Sequence, residues 1–187
     1  MIRNRFYISA VVSVLLLVVL TVSGCGGDKT STAKFDTPTY PFSFDYPDGW
    51  KVTRNPAFVF GSDDAVRSVG VTLKEPDDEI TVAQYELDKE LPDGFNANQE
   101  EIDRIVRRLT RQSNGSSSDS IEVSFGGIPG YQYVVEYPGG NGVELLTTLT
   151  FLFQGKNEFL VNCQSSPANR AALDAGCEQV LNSLSFS

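Results

Sequence analysis

Residues 121 to 164 constrain this chain most, because they hold four apolar segments joined by links too short for anything but hairpins. Ile121–Phe125, Tyr131–Tyr137, Val143–Phe153 and Glu158–Gln164 each read as a strand. The links are Gly126-Gly-Ile-Pro-Gly130, Pro138-Gly-Gly-Asn-Gly142 and Gln154-Gly-Lys-Asn157, all rich in turn residues. A parallel crossover needs about a dozen residues or more, so these strands must run antiparallel. In the longest of them Val143, Leu145, Leu149, Phe151 and Phe153 share one face.

The flanking segments extend this meander. Phe42–Tyr46 alternates apolar and polar, Pro47-Asp48-Gly49 is a turn, and Trp50–Val52 begins a second strand. Ala57–Phe60 and Arg67–Lys74 read as two more strands, the latter alternating through Val69, Val71 and Leu73. Thr81 followed by Gln84 fits a capping box, and Val82 and Tyr85 would share a helical face, which predicts a short helix there although Leu87 falls off the stripe. A longer helix is expected over Asn98–Gln112, with Ile102, Ile105, Val106 and Leu109 inward. Ser113–Ser120 has the composition of a loop. Near the end, Ser166 is expected to cap a helix with Pro167 at its first position, and Leu173, Cys177, Val180, Leu181 and Leu184 form its stripe. The fold class is therefore α+β, an antiparallel sheet of roughly six to seven strands flanked by helices.

The N-terminus sets the compartment. Arg3 and Arg5 precede an almost wholly apolar run from Ile8 to Val22, and Val22-Ser23-Gly24 lead into Cys25. This is the basic, apolar and small-residue order of an export signal. With cysteine at the cut it resembles the lipobox of bacterial lipoproteins. The resemblance implies cleavage before Cys25 and diacylation of its thiol. Residues 1–24 are then the leader, 25–39 the lipidated cysteine and a flexible tether, and 40–187 one folded domain. An uncleaved membrane helix or an ordinary secretory signal would use the same residues. Cleavage leaves 163 residues, the first 24 being lost, with 13 basic against 24 acidic side chains and a net charge of −11. So acidic a domain is unsuited to nucleic acid and is repelled by anionic headgroups. Its membrane partner would be reached through acyl chains, at the extracytoplasmic face of the cell membrane.

Cysteine and histidine usage narrows the chemistry. With Cys25 lipidated, Cys163 and Cys177 remain as an even pair in an oxidising compartment. Cys163 alternates with Phe159 and Val161, and Cys177 lies on the apolar stripe of the final helix. A helix returning over its strand brings those faces together and predicts a disulfide, with two buried free thiols as the alternative. The chain has no histidine, which removes the usual general base, the commonest metal ligand and the serine–histidine triad. No catalytic residue, metal or cofactor is assigned.

The meander, the terminal amphipathic helix, the Tyr46-Pro-Asp-Gly-Trp50 turn, the Gly-Ile-Pro-Gly130-Tyr131 strand start and the cysteine-bearing strand and helix together resemble the PsbP-like superfamily. The similarity covers about Phe42 to Phe186 and points to the branch of actinobacterial LpqN-type lipoproteins. It implies an antiparallel sheet with helices on both sides, an α/β/α sandwich. It implies no reaction, because members of that superfamily serve as accessory subunits and binding partners.

Four clusters are candidate sites. Arg104, Arg107, Arg108 and Arg111 recur at i, i+3, i+4 and i+7 as a basic ridge for an acidic partner. The plainer reading is a solvated face stitched by Glu100–Arg104 and Asp103–Arg107 pairs. Asp77, Asp78 and Glu79, with Asp63 and Asp64, are candidate calcium ligands without the spacing of a known calcium loop. Gly139-Gly140-Asn141-Gly142 has the composition of a phosphate cradle but lacks the lysine and helix that one needs, and reads as a turn. Tyr131, Tyr133 and Tyr137 share a strand face that either lines a groove or belongs to the core. The function expected is a non-catalytic binding or accessory module at the cell envelope, with an envelope protein as partner. The alternative is a carrier of a small hydrophobic ligand or lipid between helices and sheet, and a carboxylate-based hydrolase ranks third.

Overall fold

The structure, a computed structural model, describes residues 31–57, 65–74, 76–88, 96–140 and 142–187. Its elements are β1 (Thr32–Phe35), β2 (Phe42–Pro47), β3 (Lys51–Arg54), β4 (Arg67–Thr72), β5 (Glu79–Glu86), α1 (Asn96–Gln112), β6 (Ser116–Ser117), β7 (Ile121–Phe125), β8 (Ile128–Pro138), β9 (Glu144–Gln154), β10 (Asn157–Ser165), α2 (Arg170–Ser183) and β11 (Ser185–Phe186). The strand expected at Ala57–Phe60 lies largely outside the described residues, as do the leader and Cys25.

Eight strands form one sheet in the order β3-β4-β5-β10-β9-β8, with β6 and β7 each pairing a different stretch of β8. Every pairing is antiparallel. The hairpin links expected from their turn residues are therefore present. β1, β2 and β11 make a second, three-stranded sheet. The fold is the expected α+β architecture with one strand more in its main sheet.

The two faces of the large sheet carry separate cores because side chains alternate along each strand. Phe159, Val161 and Cys163 of β10 point to one face with Val69, Val71, Ile80 and Val82. There they meet Leu173, Val180, Leu181 and Leu184 of α2 and the aromatic face of the small sheet. Phe35 lies opposite Phe44 and stacks on it at 5.3 Å, and Phe186 lies opposite Phe42 and packs on Phe159 at 4.4 Å. Leu160, Tyr131, Tyr133, Val135, Leu149 and Phe151 occupy the other face with Ile102 and Val106 of α1. Each fully buried aliphatic or aromatic side chain contributes about 1.5–3 kcal/mol, so both helices are held by packing.

The segment around Thr81 corrects the sequence reading. It is strand β5, paired to β4 and β10, not a helix. Ile80, Thr81, Val82 and Ala83 are all buried, since the strand is central and covered on both faces. The alternation that marks a half-exposed strand is lost there. Three further corrections concern ends and a loop. Thr32–Phe35, inside the expected tether, is a strand anchored by buried Phe35. The expected loop at Ser113–Ser120 contains the short strand β6. The final helix begins at Arg170 behind an Asn169 cap, not at Pro167.

Two local features seat α2. The Asp78 carboxylate, fully buried, accepts from the Ser166 amide at 2.7 Å and from Asn169 Nδ2 at 2.6 Å, tying the helix entry to the turn before β5. At the Pro47-Asp48-Gly49 turn, Gly49 adopts φ 82°, a left-handed conformation that glycine takes without strain. Trp50 then lies over Gly176 so closely that a Cβ there would stand 2.7 Å from the indole. The turn and α2 thus fit only with glycine at position 176.

Candidate functional site: the outer face of the first helix

α1 presents one face to the sheet and an opposite, cationic face to solvent. Ile102, Val106 and Thr110 are buried, and Leu109 is partly so. The Thr110 hydroxyl donates to the Val106 carbonyl at 2.7 Å, which removes its polar cost. Arg104, Arg107, Arg108 and Arg111 are all exposed. Ile105 corrects the expected stripe: it is 41% exposed and sits beside Arg104 and one turn from Arg108. The ridge therefore has an apolar border on the side toward Leu109, which the periodicity concealed by assigning Ile105 to the core.

Asp103 links the ridge to the sheet. It accepts from the Tyr133 hydroxyl at 2.8 Å and stands 3.8 Å from the Arg107 guanidinium. Burial of the ring and the nearby Asp103 carboxylate push the Tyr133 phenol far above its ordinary range. It is therefore a permanent donor. Among the described residues Arg104, Arg108 and Arg111 have no ion-pair partner, and the Glu100–Arg104 pair is not formed.

The other candidates have structural uses. Asp78 is consumed at the entry to α2, and the Glu79 oxygens accept from Thr72 and Thr81 at 3.0 and 2.7 Å. Among the described residues no cluster of three or more acidic or cysteine side chains could hold a metal. Asp63 and Asp64 lie outside them. Gly139 and Gly142 close a hairpin turn, through Gly139 N to the Val143 carbonyl at 2.7 Å and Gly142 N to the Gly139 carbonyl at 3.0 Å. Tyr131, Tyr133 and Tyr137 are buried in the core, and the edge of Tyr137 also borders a surface pocket of about 350 Å³ with Gly115, Ser116 and Glu144. Tyr137 donates to Gln164 Oε1, whose amide in turn reaches the Asp77 carbonyl at 3.2 Å. Cys163 and Cys177 are joined as a disulfide with a Cα separation of 5.9 Å.

No family model matches this chain, and no curated protein does. Solved structures do. The cyanobacterial PsbP, CyanoP, of Synechocystis superposes with a TM-score of 0.57 at 17% identity, covering 89% of this chain and 99% of that one. The fold is PsbP-like. A Bacteroides thetaiotaomicron protein gives 0.55 at 15% identity over 82% of this chain, which spans about half (48%) of that protein's length. LpqN of Mycobacterium tuberculosis, described as involved in cell envelope biogenesis, gives 0.49 at 15% identity and 87% coverage of each chain. At such identities the PsbP-like likeness fixes the architecture and leaves the role to the surface.

Proposed function

We propose that this protein is a lipid-anchored extracytoplasmic accessory module that works by docking an acidic envelope partner on the outer face of α1. The observation that carries this reading is the ridge itself. Three guanidiniums without ion-pair partners among the described residues line one helix face with an exposed isoleucine at its border, in a chain whose net charge is −9. Arginines beside an exposed apolar side chain match the composition of docking patches, and cations gathered on an acidic protein steer an acidic partner to one face. The carrier alternative has less support. The spaces beneath both helices, where it needs a hollow, are filled by Leu173, Val180 and Leu181 on one side and by Ile102, Val106 and Tyr133 on the other.

The ridge is tested by in-cell crosslinking through a photoreactive residue at position 105. Reversing Arg108 and Arg111 to glutamate should cut the yield of the captured partner about tenfold. The melting temperature should move by no more than about 2 °C, because neither side chain is buried or paired. Undiminished capture would remove the ridge from the reading. The anchor is tested separately. Cys25→Ser should leave the protein as an unprocessed precursor or release it from membranes, and normal maturation of that variant would refute lipidation.

A further inference from the structure

The sheet face under α2 is only partly covered. Leu173, Cys177, Val180 and Leu181 are buried where α2 crosses the sheet, while the same face of β7 and β8 lies open beside it. Strand register sets Ile121 beside Gln132, Val134 beside Thr148, and Glu136 beside Leu146 on this face. Ile121 is 58% exposed and Val134 39%, far more than strand residues with a covering helix. Between this area and α2 runs a groove of about 240 Å³ lined by Phe125, Thr148, Cys177 and Leu181, with Asp174 and Glu178 on its helix wall. Glu136 and Glu144 stand exposed at the strand ends, and alternation places them on the same face. Among the described residues no lysine or arginine lines the groove.

We propose that this groove seats a cationic amphipathic helix from a partner protein. A helix is about 10 Å across, the width of one position in a helix layer, and an occupant lying beside α2 would complete that layer over β8. Its apolar stripe would cover Val134, Ile121 and Phe125, and its lysines or arginines would face Asp174 and Glu178 on one side and Glu136 and Glu144 on the other. A second copy of this chain is a poor occupant. Each copy carries a net charge of −9, and its basic helix α1 offers only Ile105 as an exposed large apolar side chain. The groove lies on the sheet face opposite the arginine ridge, so this inference stands or falls independently of that one.

The test uses the full chain in neutral phosphatidylcholine nanodiscs, with empty nanodiscs as the blank. The probe is a fluorescent Lys/Leu/Ala helix of about 18 residues, long enough to cross the groove. Fluorescence anisotropy should report saturable binding in the micromolar range. Asp174→Lys with Glu178→Lys should weaken it at least about tenfold, as should Val134→Lys, which places a cation on β8 next to Thr148 of the groove. Glu100→Lys with Glu101→Lys, an equal charge change on the opposite face, should leave affinity within about twofold. Three results would each overturn the proposal: no saturation by about 1 mM, equal losses for the two double reversals, or chain–chain association that the peptide does not displace. The last would assign the groove to a second copy.

Discussion

Replacing Cys163 and Cys177 together by alanine should lower the free energy of unfolding by about 3 kcal/mol. The bridge closes a loop of 14 residues between β10 and α2, and in the chain-entropy model a loop of that size restricts the unfolded chain by about that amount. Both sulfurs are buried against the first core, so the variant also leaves a small void beneath α2. In urea the midpoint should fall by about 1.5 M, with a slope no shallower than that of the crosslinked protein because the freed unfolded chain exposes more surface. Wild-type protein held in a reductant should unfold close to the variant, because both lack the same crosslink. If oxidised wild type and the double variant share a midpoint, the bridge is not a stabilising element.

Why that pair was legible while other features were not follows from local pattern. The two cysteines sit on faces that strand and helix periodicity define independently, and the short link between β10 and α2 forces those faces together. The hairpins were equally plain, because glycine, proline and asparagine clusters separate apolar runs at intervals too short for a crossover. β5 was misread for the opposite reason. A central strand buried on both faces shows no alternation, and Thr81 and Gln84 happen to stand at capping-box spacing. The signal that would have found it is the β-branched run Ile80-Thr81-Val82, which favours a strand over a helix. β1 and β11 are too short for any periodicity, and each joins the small sheet through one apolar residue, Phe35 or Phe186. At the ridge, the four arginines were visible from spacing alone. Ile105 was not, because i, i+3 and i+4 positions all count as one stripe until packing decides which of them the sheet covers.

Changing Glu158 to glutamine should stabilise the protein at pH 8 by about 3 kcal/mol and have little effect near pH 4. Glu158 lies on β10 opposite Tyr85 of β5 on one side and Phe153 of β9 on the other, on the sheet face that carries α1. Burial there deprives the carboxylate of water and pushes its pKa from 4.5 to about 7. The sign follows from proton counting. Below about pH 4.5 both folded and unfolded chains hold the proton, and the group is neutral to stability. Between about 4.5 and 7 the unfolded chain releases it first, so stability falls with rising pH by about 1.4 kcal/mol per unit. Above about 7 the folded chain must carry a poorly solvated charge, and the full cost persists. Glutamine keeps the shape without the charge. The difference between Glu158→Gln and wild type, measured by urea unfolding from pH 4 to 8, therefore isolates this one carboxyl from every other titrating group. A difference that stays constant across that range would show Glu158 to be solvated in the folded chain. A rise confined to the interval from about 4.5 to 7 identifies a half-buried carboxyl that stays largely protonated until neutrality, placed between aromatic side chains where the fold gives it no charged partner among the described residues.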